Sequence, residues 1–481
     1  MDRLIIALAA AAALAGCTAA GGGVSDAGGP RVGDETDGGG EAPGEDAAAG
    51  DDLGLTPDEG PMEADASLGA DLGAAPIDDA ALPGTDASTP PVDATADAAP
   101  VVEGDAGPAP APSSCKDGVT LNETFPVDPA GPFGQLYVHA AFDGDGVWLA
   151  YSRPTPDADF DVWLARVDCA GQVTDRQQVT DDVPPNEIDP SIAVGPESVL
   201  VVWTADAPDD QPSNLSIRQR LYDRQARPLG PSRRLDLTTP NGATFVGNAW
   251  RTHAIAHEDG FWVTGTRGAE GAGAFQVFVQ HLDRAGAPDG PTIDVAPAPD
   301  TTQWDPVVEL SDQGDLWVAW IDGFGTGLAR LARRPAGAAT FEPAVELAPG
   351  TAGAPTIAAD GAVYAAAYRE AAPGIDIVLR AVDGGATVVL GAANQRDLLP
   401  TLAPGAIAWQ RQQAGVQYSL WAQRLAPGPA PAGAAVQIPT GDPAGPANPG
   451  LVRVGERAWL VLWSEGPRSP NFKLFGRFVS L

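Results

Sequence analysis

From Cys115 to Leu481 the chain runs in short β-type segments punctuated by Gly and Pro, without the sustained 3.6-residue periodicity of a helix. The clearest signal is a near-continuous apolar run that follows a turn. It reads Val147-Trp148-Leu149-Ala150-Tyr151, then Val199 to Trp203, Phe261-Trp262-Val263, and Leu316-Trp317-Val318-Ala319-Trp320. It returns at Val363 to Tyr368, at Ala406-Ile407-Ala408-Trp409 and at Trp459-Leu460-Val461-Leu462-Trp463, seven occurrences in all. A strand that is apolar on both faces is sandwiched between neighbouring sheets.

Each run sits inside a larger unit. A short strand precedes it, as in Asp189-Pro190-Ser191-Ile192-Ala193-Val194 or Asp305-Pro306-Val307-Val308. A polar loop follows, then a strand ending in a basic and an apolar residue, such as Arg166-Val167, His281-Leu282 or Arg477-Phe478. Alternating apolar residues close the unit: Leu235/Leu237, Ile293/Val295, Val345/Leu347, Val388/Leu390 and Val436/Ile438. Units begin near 136, 189, 248, 305, 353, 397 and 448, spaced 44 to 59 residues apart. Four antiparallel strands per unit, repeated seven times, predict an all-β, seven-bladed β-propeller over 115–481. The last unit reaches the C-terminus with three strands made, and Val119-Thr120-Leu121 carries the missing apolar-x-apolar pattern. An N-terminal strand completing the last blade closes the ring and removes exposed sheet edges. The pattern resembles a generic, diverged propeller. The repeat signatures of the tryptophan-aspartate, Asp-box, quinone-enzyme and kelch families are missing, so the likeness implies fold and no activity.

The N-terminus has a different character. Arg3 precedes an unbroken apolar run from Leu4 to Leu14, too short to span a bilayer but long enough for the core of a signal peptide. Leu14-Ala15-Gly16-Cys17 resembles the bacterial lipobox, which implies a signal peptide over 1–16 and a lipid-modified Cys17. A multiply acylated cysteine stays in a membrane, each buried methylene contributing roughly 0.8 kcal/mol. Thr18 stands where an Asp favours inner-membrane retention in Gram-negative sorting. That resemblance therefore points to the outer membrane of the cell envelope.

Residues 17–114 read as a disordered tether. After Cys17 they contain no Phe, Trp or Tyr, and hold 21 acidic residues against Arg31 alone, which is −20 of the chain's −36. As a flexible coil the tether would span about 55 Å, from ~5–6 Å × √n. The remaining −16 lies on 115–481, and the acidity of both parts argues against nucleic acid as a partner. Besides Cys17 only Cys115 and Cys169 are present. In an oxidising envelope such a pair forms a disulfide more readily than a metal site, which needs about four ligands.

Catalytic chemistry is hard to place. No Gly-x-Ser-x-Gly, His-Glu-x-x-His or phosphate-loop signature occurs, no cofactor motif is present, and no carboxylate pair stands out. His253 and His257 are four apart in a strand, ~13 Å, too far to share a metal ion. Asp157, Asp159, Asp161 and Asp168 have the spacing of a calcium loop, but Val162 replaces the required Gly. The basic residues 166, 220, 281, 330, 424 and 477 recur in phase, which predicts a structural role. Asp189-Pro190, Asp305-Pro306 and Asn448-Pro449 begin equivalent strands, either as turn initiators or around a channel mouth. With the acidic loops 180–189 and 205–211 and with Trp250 and Trp304, they form the candidate binding face, for an envelope protein or a glycan. The leading expectation is a non-catalytic binding or scaffolding module. The alternative is an envelope glycan hydrolase using acidic residues at the channel mouth. For the anchor, Cys17→Ser is expected to move the protein from the detergent phase to the aqueous phase in a phase-separation assay, and equal partitioning of the two forms would remove the lipobox.

Overall fold

The computed structural model describes Cys115 and residues 118–481, except 130–134, 156–158, 181–185, 207–214, 240–241, 246, 270–273, 299–300, 324–326, 372, 383, 392–393, 413–416, 442–445 and 467–471. The signal peptide, Cys17 and the tether lie outside the described residues, as do Asp157 and parts of both acidic loops. The described chain is all-β and β-propeller-like, built from antiparallel sheets of four strands. One 11-stranded sheet spans three units, joined by Val345–Ala359, a single strand of 15 residues, and by a parallel pairing of Ile375 with Arg396. The first part of the long strand closes one unit, pairing Val345 with Leu331, and its second part opens the next, pairing Ile357 with Ala365. The sequence predicts two separate strands here; the chain runs straight through without an intervening loop.

Seven strands open the successive units. They are Leu136–Phe142, Glu187–Val194, Gly247–His257, Gln303–Leu310, Val345–Ala359, Arg396–Ala403 and Pro446–Arg453. Each packs against the next, and Pro446–Arg453 packs back on Leu136–Phe142. The second strand of each unit carries the apolar run. Val147 to Tyr151, Val199 to Trp203 and Leu460 to Trp463 are fully buried. They fill the space between sheets, as where Trp148 and Leu164 meet Val201 and Trp203. Burying each such side chain contributes roughly 1.5–3 kcal/mol, so the apolar runs hold the sheets together face to face.

An N-terminal strand does join the last unit, but not the one expected. Thr124–Pro126 pairs antiparallel with Lys473–Ser480, Phe125 opposite Gly476. Val119 only packs against the adjoining apolar cluster, and Leu121 is 38% exposed. Asn122, at φ 69°, bends the chain between the two segments. Upstream, Cys115 is disulfide-bonded to Cys169, and Thr120 N–H donates to the Cys169 carbonyl at 2.8 Å. Downstream, buried Asp128 accepts a hydrogen bond from Arg153 at 3.1 Å and is ion-paired with Arg176 at 2.8 Å, both on the first sheet. Gln135 completes the junction, donating to the Asp128 carbonyl and accepting the Leu474 N–H at 2.8 Å.

The basic residues in phase have structural partners. Arg166 pairs with Asp143 at 2.8 Å, Arg330 with Asp322 at 2.9 Å and His281 with Asp289 at 3.1 Å. Arg220 reaches the Val179 carbonyl of the preceding sheet. Asp168 accepts the N–H groups of Ala170 and Gln172 in its own turn. Among the described residues, no group of three or more His, Cys, Asp or Glu is placed to hold a metal ion.

Asp128 is the polar centre of the junction between first and last units. Replacing it leaves two arginines without their buried partner, and breaking such pairs costs about 3 kcal/mol. Asp128→Asn is therefore expected to lower Tm by several degrees, while Asp145→Asn on an exposed turn leaves it unchanged. Equal melts of the two variants would mean that the junction contributes little.

Candidate functional site

The site grows out of one repeated backbone feature. Each of the seven opening strands is interrupted by a bulge. At each bulge one non-glycine residue has left-handed φ, between 47° and 55°: Tyr137, Asp189, Arg251, Asp305, Ala354, Leu399 and Asn448. Left-handed backbone costs a side-chain-bearing residue about 1–2 kcal/mol, so its recurrence at one phase marks a position fixed by the surrounding architecture. Proline follows in five of the seven strands and brings no N–H that needs a partner. Asp189, Asp305 and Asn448 thus do not initiate turns, as their Asx-Pro sequences suggest. Each is the third residue within its strand.

A second regularity links the strands. In four of the strands the residue two beyond the left-handed position accepts a backbone N–H from the next opening strand. Ile192 N–H donates to His139 Nδ1 at 3.1 Å, Ala254 N–H to Ser191 Oγ at 2.9 Å and Val308 N–H to His253 Nδ1 at 3.3 Å. Leu402 N–H donates to Thr356 Oγ1 at 3.1 Å. These contacts satisfy edge donors that the sheets leave unpaired.

Arg251 is the electrostatic centre. Its Nη1 lies 3.4 Å from Asp189 Oδ1 and its Nε lies 3.4 Å from Asp305 Oδ1. Its guanidinium stacks over Trp304 at 5.3 Å, and its backbone N–H donates to Thr204 Oγ1. Burial raises the Asp305 carboxyl above the usual aspartate range; Arg251 opposes the rise and Asp189 adds to it. Burial works against the charge on Arg251, but Asp189 and Asp305 outweigh it and hold the group above the ordinary arginine value. Tyr137 is pushed up to about 12 by burial and by Asp189, with Arg251 acting the other way. Two carboxylates of one charge are thus held around one cation, and one of them is biased to keep its proton.

A cavity of about 300 Å³ is linked to this group through Tyr137 and is lined by Tyr137, His139, His253, Thr356, Leu399 and Asn448 among others. His139 and His253 meet with Nε2 atoms 3.1 Å apart and rings edge-on. Burial lowers His139 to about 4, and burial with its neighbour His139 lowers His253 well below the usual histidine value.

Of the residues expected at a binding face, Asp189, Asp305, Trp250 and Trp304 gather around Arg251, and Asn448 lines the cavity. Trp304 is only 4% exposed, so it supports Arg251 and Trp250 instead of offering a surface to a ligand. Arg251, Tyr137 and His139 are not apparent as site residues in the sequence. His253 pairs with His139, not with His257, whose ring lies near His281. Aligning the units on their Asx-Pro pairs would have placed Tyr137 and Arg251 at the phase of Asp189, which is the signal that was present.

No protein-family model and no curated protein matches the chain. Solved structures of similar architecture exist. One is a protein of unknown function from Dyadobacter fermentans, 12% identical with a TM-score of 0.47, covering 76% of this chain and 99% of its own. An α-L-arabinofuranosidase from Fusarium graminearum is 9% identical with a TM-score of 0.47, over 75% of this chain and 98% of its own. The polysaccharide lyase Uly1 is 7% identical with a TM-score of 0.46, over 74% and 91%. With TM-scores below 0.5 these likenesses assign no residue and no substrate. The expectation of a non-catalytic scaffold is corrected to this extent: the solved structures of similar architecture with a named activity are enzymes, glycan-cleaving ones and two peptidases. The alternative expectation is a glycan hydrolase using acidic residues; Asp189 and Asp305 lie on strands more than a hundred residues apart and form no local motif.

Arg251→Gln tests the electrostatics. Without the guanidinium, Asp189 and Asp305 repel unopposed, and the folded pKa of Asp305 rises further above its unfolded value. The folded state then binds more protons than the unfolded state, so stability falls as pH rises from the ordinary aspartate range through that raised pKa. We expect the variant to lose more Tm between pH 4 and pH 8 than the parent. Parallel pH profiles would contradict the arrangement.

Proposed function

We propose that residues 115–481 form a seven-bladed propeller closed by Thr124–Pro126, and that its central site hydrolyses glycosidic bonds. Support for the blade count comes from the seven bulged opening strands and their packing, each on the next and the last on the first. Support for the chemistry comes from one observation above all. Asp189 and Asp305 flank a single guanidinium at 3.4 Å, linked through Tyr137 to a cavity, with Asp305 biased towards its protonated form.

Glycoside hydrolysis uses two carboxyl groups in different protonation states. Asp305 serves as general acid, giving its proton to the leaving glycosidic oxygen. Asp189, ion-paired with Arg251, is the carboxylate that meets the positive charge developing at the anomeric carbon or activates the attacking water. Arg251 keeps the two acids apart and limits their repulsion. The proposal extends to location. A lipid-modified Cys17 and the acidic tether would hold the domain at the cell envelope, on the outer membrane, where extracellular glycans are available.

The test is turnover by the full chain on aryl glycosides and polysaccharides. Asp305→Asn and Asp189→Asn are each expected to lower kcat/KM by about 10²–10⁴, the usual contribution of a positioned acid or base. In the parent, activity should fall on the alkaline side as Asp305 loses its proton, and Asp305→Asn should abolish that limb. Absence of turnover on every glycan, or turnover unchanged in both variants, contradicts the function.

A further inference from the structure

The histidine pair on the cavity wall has a consequence for how a sugar is held. A neutral imidazole carries a proton on one nitrogen and a lone pair on the other. His139 Nδ1 faces the Ile192 N–H at 3.1 Å, with Ser191 Oγ at 3.3 Å, and His253 Nδ1 faces the Val308 N–H at 3.3 Å. A backbone N–H can only donate, so each Nδ1 must present its lone pair and each ring proton must sit on Nε2. The two Nε2–H groups then converge at 3.1 Å, and neither can accept from the other. One acceptor can satisfy both if it sits within ~2.9 Å of each nitrogen.

We propose that His139 and His253 form a two-donor cradle for one hydroxyl oxygen of a neutral sugar seated in the cavity. This rests on the glycan-cleaving function and names the substrate class of that site. Burial keeps both rings uncharged near neutral pH, so the cradle offers dipoles and no positive charge. Arg251 is already engaged by Asp189 and Asp305, so its charge is not offered to a sugar carrying its own carboxylate. Ala354-Pro355, Leu399-Pro400 and Pro449 supply an apolar lining suited to the C–H face of a sugar ring.

The chain has four histidines, so the full chain labelled with ¹⁵N-histidine gives a spectrum that single His→Gln variants can assign. Near neutral pH, His139 and His253 are expected as Nε2–H tautomers. Saturating L-arabinose or D-galactose should shift both Nε2 resonances and leave His257 and His281 in place, with D-galacturonate binding at least tenfold more weakly. His253→Phe should weaken binding of the neutral sugar about tenfold, the loss of one hydrogen bond. His253→Gln can still accept from Val308 and donate into the cavity, so it should recover affinity to within about threefold. Thermal melts of both variants show whether each is folded. An Nδ1–H tautomer or a charged ring at either position overturns the cradle, as does a sugar that binds without moving both rings, no binding of either neutral sugar, or preference for galacturonate. If Asp305→Asn abolishes glycan turnover while sugars leave the rings unmoved, the cradle alone fails. If the rings respond as expected but no glycan is cleaved, the enzyme function alone fails.

Discussion

The free edge of the opening strand is the constraint on which the rest of the site depends. The opening strands pair within their own unit and face their counterparts in adjacent units on the other side, and Val345–Ala359 in addition closes the unit before it. Backbone donors on that side need partners, because an unsatisfied buried group costs about as much as a lost hydrogen bond. The chain meets the need in two ways. A bulge with a left-handed residue, mostly followed by proline, removes or redirects donors. A side chain two residues later accepts an N–H from the neighbouring strand. The acceptors are His139, Ser191, His253 and Thr356, and three of them, His139, His253 and Thr356, also line the cavity.

This geometry leaves the left-handed position open to chemistry. Its backbone is fixed by the bulge while its side chain varies from unit to unit. In three consecutive units that position holds Asp189, Arg251 and Asp305, and the packing of their strands brings them into one ion-pair group. Elsewhere it holds Ala354 and Leu399, which contribute apolar wall. The result is asymmetric, charged on one side and apolar on another, although the backbone pattern repeats throughout. The uncharged histidine pair comes from the same logic, since a ring that accepts a backbone N–H through Nδ1 has to present its proton elsewhere.

Much of the architecture is legible in the sequence because burial between sheets leaves a strong local trace. The seven apolar runs, from Val147-Trp148 to Leu462-Trp463, correspond to strands buried on both faces. Short pairings leave a weaker trace. Val119-Thr120-Leu121 has the better alternation, yet Thr124–Pro126 makes the ladder, because three residues of pairing can be set by a bend at Asn122 and by the disulfide and Asp128 on either side. The site is only partly legible. Asp189, Asp305 and Asn448 stand out through the prolines that follow them, whereas Tyr137 and Arg251 occupy the same phase without a proline and so escape notice. The coupling of acids from separate strands has no sequence spacing at all. It is set by the order in which the units pack.

The proposed cleavage of a glycan at the Asp189–Arg251–Asp305 group puts its terminal sugar in the cavity that Tyr137 and the histidine pair line. The most direct measurement is a crystal structure of the Asp305→Asn protein soaked with neutral oligosaccharides. One sugar ring is expected in the cavity, with the glycosidic oxygen within hydrogen-bonding distance of residue 305. A sugar bound only on the outer faces of the sheets, with the cavity empty at saturating concentration, would contradict the proposal.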